Sequence, residues 1–246
     1  MPGDERSPRA TRVIPRALAE GQIEVLGLMP GASNDTLLAR CRAEDQECFA
    51  IYKPARGEAP LWDFPEGTLH RREVAAYVVA DALGWPDVPP TVLRDGPEGP
   101  GSLQLFVRFN AAQHYFTLGA ERAEDFRRIA LFDLVVNNAD RKAGHCLLGE
   151  DGRIWVIDHG VCFSDEPKLR TVIWEFVDQT FPPELREDLA RLLGDLAVGA
   201  PVREELGGLL TPLEIDATAG RLERLLAAGR FPEPEPGVRP FPWPPI

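Results

Sequence analysis

The sequence has no membrane-length apolar segment, because none of its apolar runs approaches the ~20 residues that a transmembrane helix requires. Residues 1–16 lack the apolar core of a secretory signal. The four cysteines form no CxxC pair and show no zinc-like spacing. These absences predict a cytoplasmic protein with no stable membrane association, whose cysteines are reduced. A disulfide pair is the less favoured alternative.

Positive charge is also scarce, since 27 Lys and Arg residues face 39 Asp and Glu residues, for a net charge of -12. Nucleic acids and anionic membranes attract basic surfaces, so neither is expected as a partner. The only lysines are Lys53, Lys142 and Lys168. Because arginine supplies most of the positive charge, each lysine is a candidate for a specific role.

The pattern of strands and helices predicts an α+β fold. Residues 1–16 read as a flexible N-terminus, and residues 17–107 as strands plus the helix TLHRREVAAYVVADALGW. Thr68 is the expected N-cap of this helix and Gly84 its end. Residues 108–230 are mostly helical with one hairpin, and residues 231–246 are a proline-rich tail. A strand-rich part and a helical part predict a cleft between them.

A cluster of polar residues surrounds the hairpin HCLLGEDGRIWVID. With its tip at Glu150 and Asp151, His145 and Asp158 emerge together at the open end. The preceding loop, NNADRKAGH, reaches the same end. The full cluster is Asp140, Arg141, Lys142, His145, Asp158 and His159. Carboxylates and imidazoles converging in a cleft suit Mg²⁺ or Mn²⁺, and a solvated surface turn next to a helix C-cap is an equal alternative.

Two further features suit a phosphate-bearing ligand. Lys53 ends the apolar strand of IYKP and can bind a phosphate, with Glu73 of the next helix as its ion-pair partner. Glu58 and Glu66 compete for that pairing, and a snorkelling edge lysine is the alternative for Lys53. The turn PGASN offers Ser33, Asn34 and backbone amides as phosphate ligands, although most such turns bind nothing.

In chain order, these features follow the arrangement of kinases: phosphate loop, strand lysine, helix glutamate, Asp-containing loop and Asp-X-Gly. The sequence resembles the phosphatidylinositol 3-/4-kinase-like superfamily, most closely the type II phosphatidylinositol 4-kinases and an actinobacterial branch. The motifs are IYKP (51–54), GSLQLFV (101–107), LFDLVVNNADRKAGH (131–145) and VIDHGVCF (156–163). The resemblance implies a two-lobed, atypical kinase-like fold, with lobes at 17–107 and 108–230.

The resemblance also implies roles for single residues. Ser33 and Asn34 would hold ATP phosphates, and Lys53, oriented by Glu73, would contact the α- or β-phosphate. Asp140, Arg141 and Lys142 would form the catalytic set, in which Asp140 orients or deprotonates the acceptor hydroxyl. Asp158 would chelate Mg²⁺ or Mn²⁺. The adenine hinge would consist of Gln104, Leu105, Phe106 and Val107.

Two departures from the superfamily concern chemistry and substrate. His145 stands where the second metal ligand is usually Asn, so it is expected to ligate the metal, act as a base or impair the site. The loop after Lys53 lacks the cysteine-rich insert of type II lipid kinases. A protein hydroxyl or a cytosolic small molecule is therefore the expected acceptor, rather than a lipid. Trp62 and Phe64 of that loop are expected to pack in the core, and anchoring a ligand is the less favoured alternative for both.

These features predict an ATP- and divalent-metal-dependent kinase. One alternative is a nucleotide-binding pseudokinase, which His145 favours and the retained Lys53, Asp140 and Asp158 oppose. Another is a nucleotidyl transferase on the same fold, which spacing does not separate from a kinase. A metal-dependent hydrolase ranks lower, because it leaves the lysine strand and the hinge-like GSLQLFV without a purpose.

Overall fold

The computed structural model describes residues 13–29, 35–237 and 239–246. Five antiparallel strands form a sheet in the order β1-β2-β3-β5-β4. Their bounds are Gln22–Leu28 (β1), Leu37–Ala43 (β2), Gln46–Pro54 (β3), Thr91–Gly96 (β4) and Gly99–Leu105 (β5). The PGASN turn, with Ser33 and Asn34, lies outside the described residues, as does most of the N-terminal segment.

The helices are mainly in the second half of the chain, as the sequence predicts. They are Arg16–Glu20 (α1), Leu69–Leu83 (α2), Tyr115–Leu118 (α3), Ala123–Val136 (α4), Pro183–Asp195 (α5), Pro201–Gly207 (α6) and Pro212–Ala228 (α7). A short hairpin of Cys146–Leu148 (β6) and Ile154–Val156 (β7) follows α4. No helix within the described ranges is long and apolar enough to cross a membrane.

Two apolar clusters hold the fold together. The larger unites α2, α4, α5 and α7 with the β6–β7 hairpin, and the smaller packs α1 against the sheet. Helix α2 belongs to the larger cluster and also packs against β4 and β5, so it joins the sheet to the helical part. All four cysteines are free thiols.

The start of α2 differs from the predicted cap. The Thr68 hydroxyl donates to the Pro65 carbonyl and does not cap the helix. Instead, the amides of Leu69 and His70 donate to the Glu58 carboxylate, at 3.1 and 2.9 Å. A carboxylate from the preceding loop therefore replaces the local cap, which also ties that loop to α2.

Candidate functional site

Lys53 is the centre of an ion-paired cluster at the base of a cleft. Its ammonium contacts Glu73 and lies 2.9 Å from Asp158 Oδ1. The Lys53 charge holds the pKa of Asp158 well below its usual range. Burial alone would lower the pKa of Lys53, but the Asp158 and Glu73 carboxylates raise it. Lys53 and Asp158 are therefore both charged at neutral pH.

Three different elements deliver these groups. Lys53 is on β3, Glu73 on α2, and Asp158 follows β7 with a left-handed backbone, φ 64°. Glu73 Oε2 also accepts the His159 amide at 3.0 Å, which ties α2 to the segment after the hairpin. Glu58, one of the predicted competitors for Lys53, is engaged at the start of α2.

Asp140 and Lys142 face each other beside this cluster. Helix α4 ends at Asn137, whose positive φ of 52° turns the chain into the loop. Asp140 Oδ2 lies 3.2 Å from Lys142 Nζ. Burial raises the pKa of Asp140, and Lys142 partly offsets that rise. A carboxylate with a raised pKa is a better proton acceptor than an ordinary aspartate.

Arg141 is not part of the cleft, contrary to the prediction that it belongs to the catalytic set. Its side chain is fully buried and ion-pairs with Asp133 of α4 at 2.9 Å. It also donates to the Ile157 carbonyl at 3.0 Å and contacts His159 Nε2 at 2.7 Å. Successive side chains of an extended loop point in different directions, and that of Arg141 points into the protein interior. Arg141 thus stabilises the loop from its buried side.

Asp133 is a supporting residue that the sequence reasoning missed. It lies within the apolar stretch LFDLVV and is fully buried. Besides Arg141, it accepts a hydrogen bond from the Asn138 side chain at 3.0 Å. A carboxylate inside an apolar helix requires a partner, so its position alone is a usable signal.

His145 joins the cluster through Asp158. Its Nε2 lies 3.3 Å from Asp158 Oδ2, and its Nδ1 faces the Lys142 amide at 3.4 Å. Burial lowers the pKa of His145 to about 4, although Asp158 acts in the opposite direction. The imidazole is therefore neutral at pH 7, which is the form that ligates a metal.

The donor set fits a metal ion only together with a ligand. Across the described part of the chain, no three His, Cys, Asp or Glu side chains are grouped to hold a metal. Asp158 and His145 provide one carboxylate and one neutral imidazole. Mg²⁺ is commonly held by one or two carboxylates with substrate phosphates and water. The pair therefore suits a metal–nucleotide complex better than a free metal ion.

The predicted hinge begins at the end of β5. The Gln104 side chain is buried and donates to Thr91 Oγ1 at 2.9 Å. The Leu105 amide donates to the Pro90 carbonyl at 2.8 Å, and the Phe106 amide to the Phe49 carbonyl at 2.9 Å. Proline has no N–H, so Pro90 cannot donate back to the Leu105 carbonyl.

Val107 is the last residue of the predicted hinge. Among the described residues, no acceptor is found for the Val107 amide. Val107 lies two residues beyond the end of β5, and its role in an adenine hinge stays a prediction.

The cleft has a volume of about 340 Å³ and is lined by both charged and apolar side chains. Each lysine of the chain pairs with a carboxylate that lines it: Lys53 with Asp158, Lys142 with Asp140, and Lys168 with Asp63. All three lysines therefore lie where they offset the charge of a carboxylate at the cleft. The cleft is also lined by Glu73, Trp62, Phe64 and Arg170.

The two aromatic residues of the loop after β3 differ from each other. Phe64 is buried as predicted, but Trp62 is 92% exposed, so the expectation of core packing is wrong for Trp62. The Lys168 ammonium lies 5.4 Å from the centre of the Trp62 ring. Trp62 therefore presents a large aromatic surface at the mouth of the cleft.

The lowered pKa of His145 predicts a pH dependence of stability. The pKa is about 4 in the folded protein and near the ordinary 6.5 when unfolded. Between these values the unfolded chain binds the proton, so the free energy of unfolding falls as pH drops from 6.5 to 4. The contribution of this one group is on the order of 3 kcal/mol.

Urea unfolding at pH 7 and pH 4.5, in metal-free buffer, measures the effect. We expect His145→Asn to lose less stability between the two pH values than the unsubstituted protein. Asp158 does not confound this comparison, because its lowered pKa acts only below the ordinary aspartate range. Parallel losses in both proteins would contradict the assignment.

Sequence comparisons connect the chain to a mycobacterial protein and to plant enzymes. Protein Rv2133c of Mycobacterium tuberculosis is 38% identical over 92% of this chain and 93% of its own length. Phosphatidylinositol 4-kinase gamma 4 of Oryza sativa subsp. japonica is 34% identical over 48% of this chain. Phosphatidylinositol 4-kinase gamma 2 of Arabidopsis thaliana is 31% identical over 63%. The chain spans only 24% and 35% of these two plant proteins. No family model matches the sequence.

A structural comparison agrees with the sequence relationships. The crystal structure of the Helicobacter pylori proinflammatory kinase CtkA superposes with a TM-score of 0.54, over 86% of this chain and 93% of that chain. The sequence identity is 11%, so this similarity concerns the fold. The kinase-like fold expected from the sequence is thereby confirmed, and the relationship to phosphatidylinositol 4-kinases holds for part of the chain.

Proposed function

This chain belongs to the same family as the mycobacterial protein Rv2133c, and we propose that it is an ATP- and divalent-metal-dependent phosphotransferase. It would transfer the γ-phosphoryl group of ATP to a hydroxyl group. The observation that carries this proposal is the cluster of Lys53, Glu73 and Asp158, which a strand, a helix and a hairpin end bring together. Kinases use this combination of groups to bind and neutralise nucleotide phosphates.

The residues around the cluster have complementary roles. Lys53 would contact an ATP phosphate while Glu73 holds its ammonium in place. A bound Mg²⁺ or Mn²⁺ would neutralise phosphate charge, with Asp158 and His145 as its protein ligands. To bind the metal ion, Asp158 would contact it in addition to Lys53. The carboxylate has two oxygens, which allows both contacts.

Asp140 is the proposed residue that positions the acceptor. Its raised pKa suits it to accept the proton of the attacking hydroxyl as the phosphorus–oxygen bond forms. Lys142, 3.2 Å away, would then stabilise charge on the transferring group. The bond from the γ-phosphorus to the leaving oxygen breaks in line, which leaves ADP as the other product.

For the acceptor we propose a protein hydroxyl or a cytosolic small molecule. The plant relatives are phosphatidylinositol 4-kinases, but the chain spans about a quarter to a third of each, so their lipid acceptor is not carried over. Trp62 is exposed at the cleft, and Arg170 lines it near Asp140. These two side chains are expected to contact the acceptor.

A nucleotide-binding pseudokinase is the second candidate, and nucleotidyl transfer on the same fold the third. His145 Nε2 contacts Asp158 Oδ2, so the two proposed metal ligands are paired with each other. This contact favours the pseudokinase. Catalysis would require a metal ion to displace this contact. The difference between the candidates therefore lies in metal-dependent turnover, not in nucleotide binding alone.

Thermal unfolding with ATP tests the nucleotide site. We expect ATP with Mg²⁺ or Mn²⁺ to raise the melting temperature, because a ligand of the folded state at 100 times its Kd stabilises by about 2.7 kcal/mol. Asp158→Asn should lose the metal-dependent part of the shift. A matched control is Asp63→Asn, which changes another cleft carboxylate that pairs with a lysine. Absence of any shift at millimolar ATP with either metal would overturn the proposal.

Mass spectrometry of the reaction products separates the three candidates. A kinase yields ADP, and a nucleotidyl transferase yields pyrophosphate and an adenylated product. A pseudokinase shows the thermal shift but neither product.

A further inference from the structure

The proline-rich segment at residues 231–246 lies against the loops of the candidate site. The amide of Ala143, in the loop that carries Asp140 and Lys142, donates to the Pro245 carbonyl at 2.9 Å. The amide of Thr171 donates to the Pro240 carbonyl at 3.0 Å. The two bonds join the segment to two separate loops of the helical part.

Both amides are deeply buried. Ala143 is 0% exposed and Thr171 is 2% exposed. With the segment in place, both amides are shielded from water and have an acceptor, so its detachment would remove the acceptors and open both amides to exchange. The Trp174 indole N–H also donates to the Pro240 carbonyl, at 3.2 Å. The side chain of Pro242, between the two acceptors, is itself buried.

The two anchored loops also bond to each other. The Arg141 amide donates to the Arg170 carbonyl at 2.9 Å, and the Arg170 amide donates to the Asn138 carbonyl at 2.9 Å. The Val172 amide returns to the Arg141 carbonyl at 3.2 Å. Residues 138–141 and 170–172 thus form a short ladder, and the segment bonds to it within the ladder at Thr171 and just beyond it at Ala143.

We propose that residues 240–246 are a positioning element of the active site: they hold the loop of Asp140, Lys142 and His145 against the segment of Arg170. They do so through the two backbone bonds to Ala143 and Thr171 and the indole bond of Trp174. Among the described residues, no hydrogen bond or ion pair joins this segment to Lys53, Glu73 or Asp158. Their loss should therefore affect phosphoryl transfer more than nucleotide binding.

Hydrogen exchange in the full-length chain tests the anchoring directly. Pro242→Asp places a charge at the buried anchor and should detach the segment. We expect the Ala143 and Thr171 amides to exchange at least ~10-fold faster in this variant, while amides within α4 are unchanged. Glu235→Ala, an exposed change in the same proline-rich segment, is the control and should alter neither amide.

The kinetic readout rests on the proposed function. With ATP as the probe and ADP formation as the assay, Pro242→Asp should lower kcat by ~10-fold and leave the KM for ATP within about twofold. A purely structural role would not produce this separation. Trp174→Phe removes only the indole donor, so it should give a smaller effect of the same kind and serves if Pro242→Asp fails to fold.

The outcomes separate the two proposals. Slow exchange at Ala143 and Thr171 in Pro242→Asp, or an equal acceleration in Glu235→Ala, overturns the positioning role whatever ATP does. Acceleration confined to Pro242→Asp supports that role. A wild-type protein that neither binds nor hydrolyses ATP overturns the kinase proposal instead, since the exchange measurement does not depend on nucleotide.

Discussion

Replacing Lys53 with methionine is expected to abolish the ATP-dependent rise in melting temperature and to lower any phosphoryl transfer by ~100-fold or more. Methionine keeps an unbranched chain of similar length but removes the ammonium that faces Glu73 and Asp158. Without it, two carboxylates remain at the point where ATP phosphates would bind. The site therefore changes from one with a cation to one that repels polyanions.

Lys168→Met is a matched control for this experiment. Lys168 is also largely buried, and it pairs with Asp63 of the same cleft at 3.3 Å. Lys168→Met removes a comparable ion pair but leaves the contact between Glu73, Asp158 and Lys53 in place. Thermal shifts with ATP and Mn²⁺, recorded for both variants, give the comparison. Equal loss in the two variants would mean that Lys53 has no specific role in nucleotide binding.

Loss of the ATP response in Lys53→Met must also be separated from loss of folding. Asp158 is 47% exposed, but Glu73 is only 3% exposed, so the Lys53–Glu73 pair should make a sizeable contribution to stability. The melting temperature without ATP reports that contribution directly. A folded variant with no ATP shift is the expected result.

The sequence predicts those parts of the fold that depend on interactions between residues close in the chain. It does not predict those that depend on residues farther apart. Strands such as β3 and helices such as α2 are visible because their burial pattern is local. The cap of α2 is not, because Glu58 reaches it from the preceding loop and displaces the expected role of Thr68. A cap from outside the helix leaves no signature at the helix start.

The candidate site shows the same division. Lys53, Glu73 and Asp158 are recognisable from motif order, and the structure brings their side chains together. The orientation of Arg141 is not encoded in the spacing of NNADRKAGH, since it depends on the buried Asp133. The contacts between residues 240–246 and the loops are equally invisible, because backbone acceptors in a proline-rich segment carry no residue-specific signal.

The Arg141–Asp133 pair gives the largest expected effect on stability. Both side chains are fully buried, with the guanidinium 2.9 Å from Asp133 Oδ1. Arg141→Met leaves an uncompensated carboxylate inside the core, and breaking a buried pair in this way typically costs about 3–5 kcal/mol. Urea unfolding measures this cost. Arg42→Met, which breaks an exposed pair with Glu47, should change the free energy of unfolding far less.

The double variant Arg141→Met/Asp133→Leu distinguishes a penalty for one stranded charge from a loss of packing. If the single cost arises from the unpaired Asp133, removing that carboxylate as well should restore about 1–3 kcal/mol relative to the sum of the single variants. Recovery should be incomplete, because the Ile157 carbonyl and His159 Nε2 also lose the guanidinium. Strictly additive costs would show that the two charges do not depend on each other. The loop that carries Asp140 would then be held mainly by its backbone bonds, and its geometry should survive the loss of the buried pair.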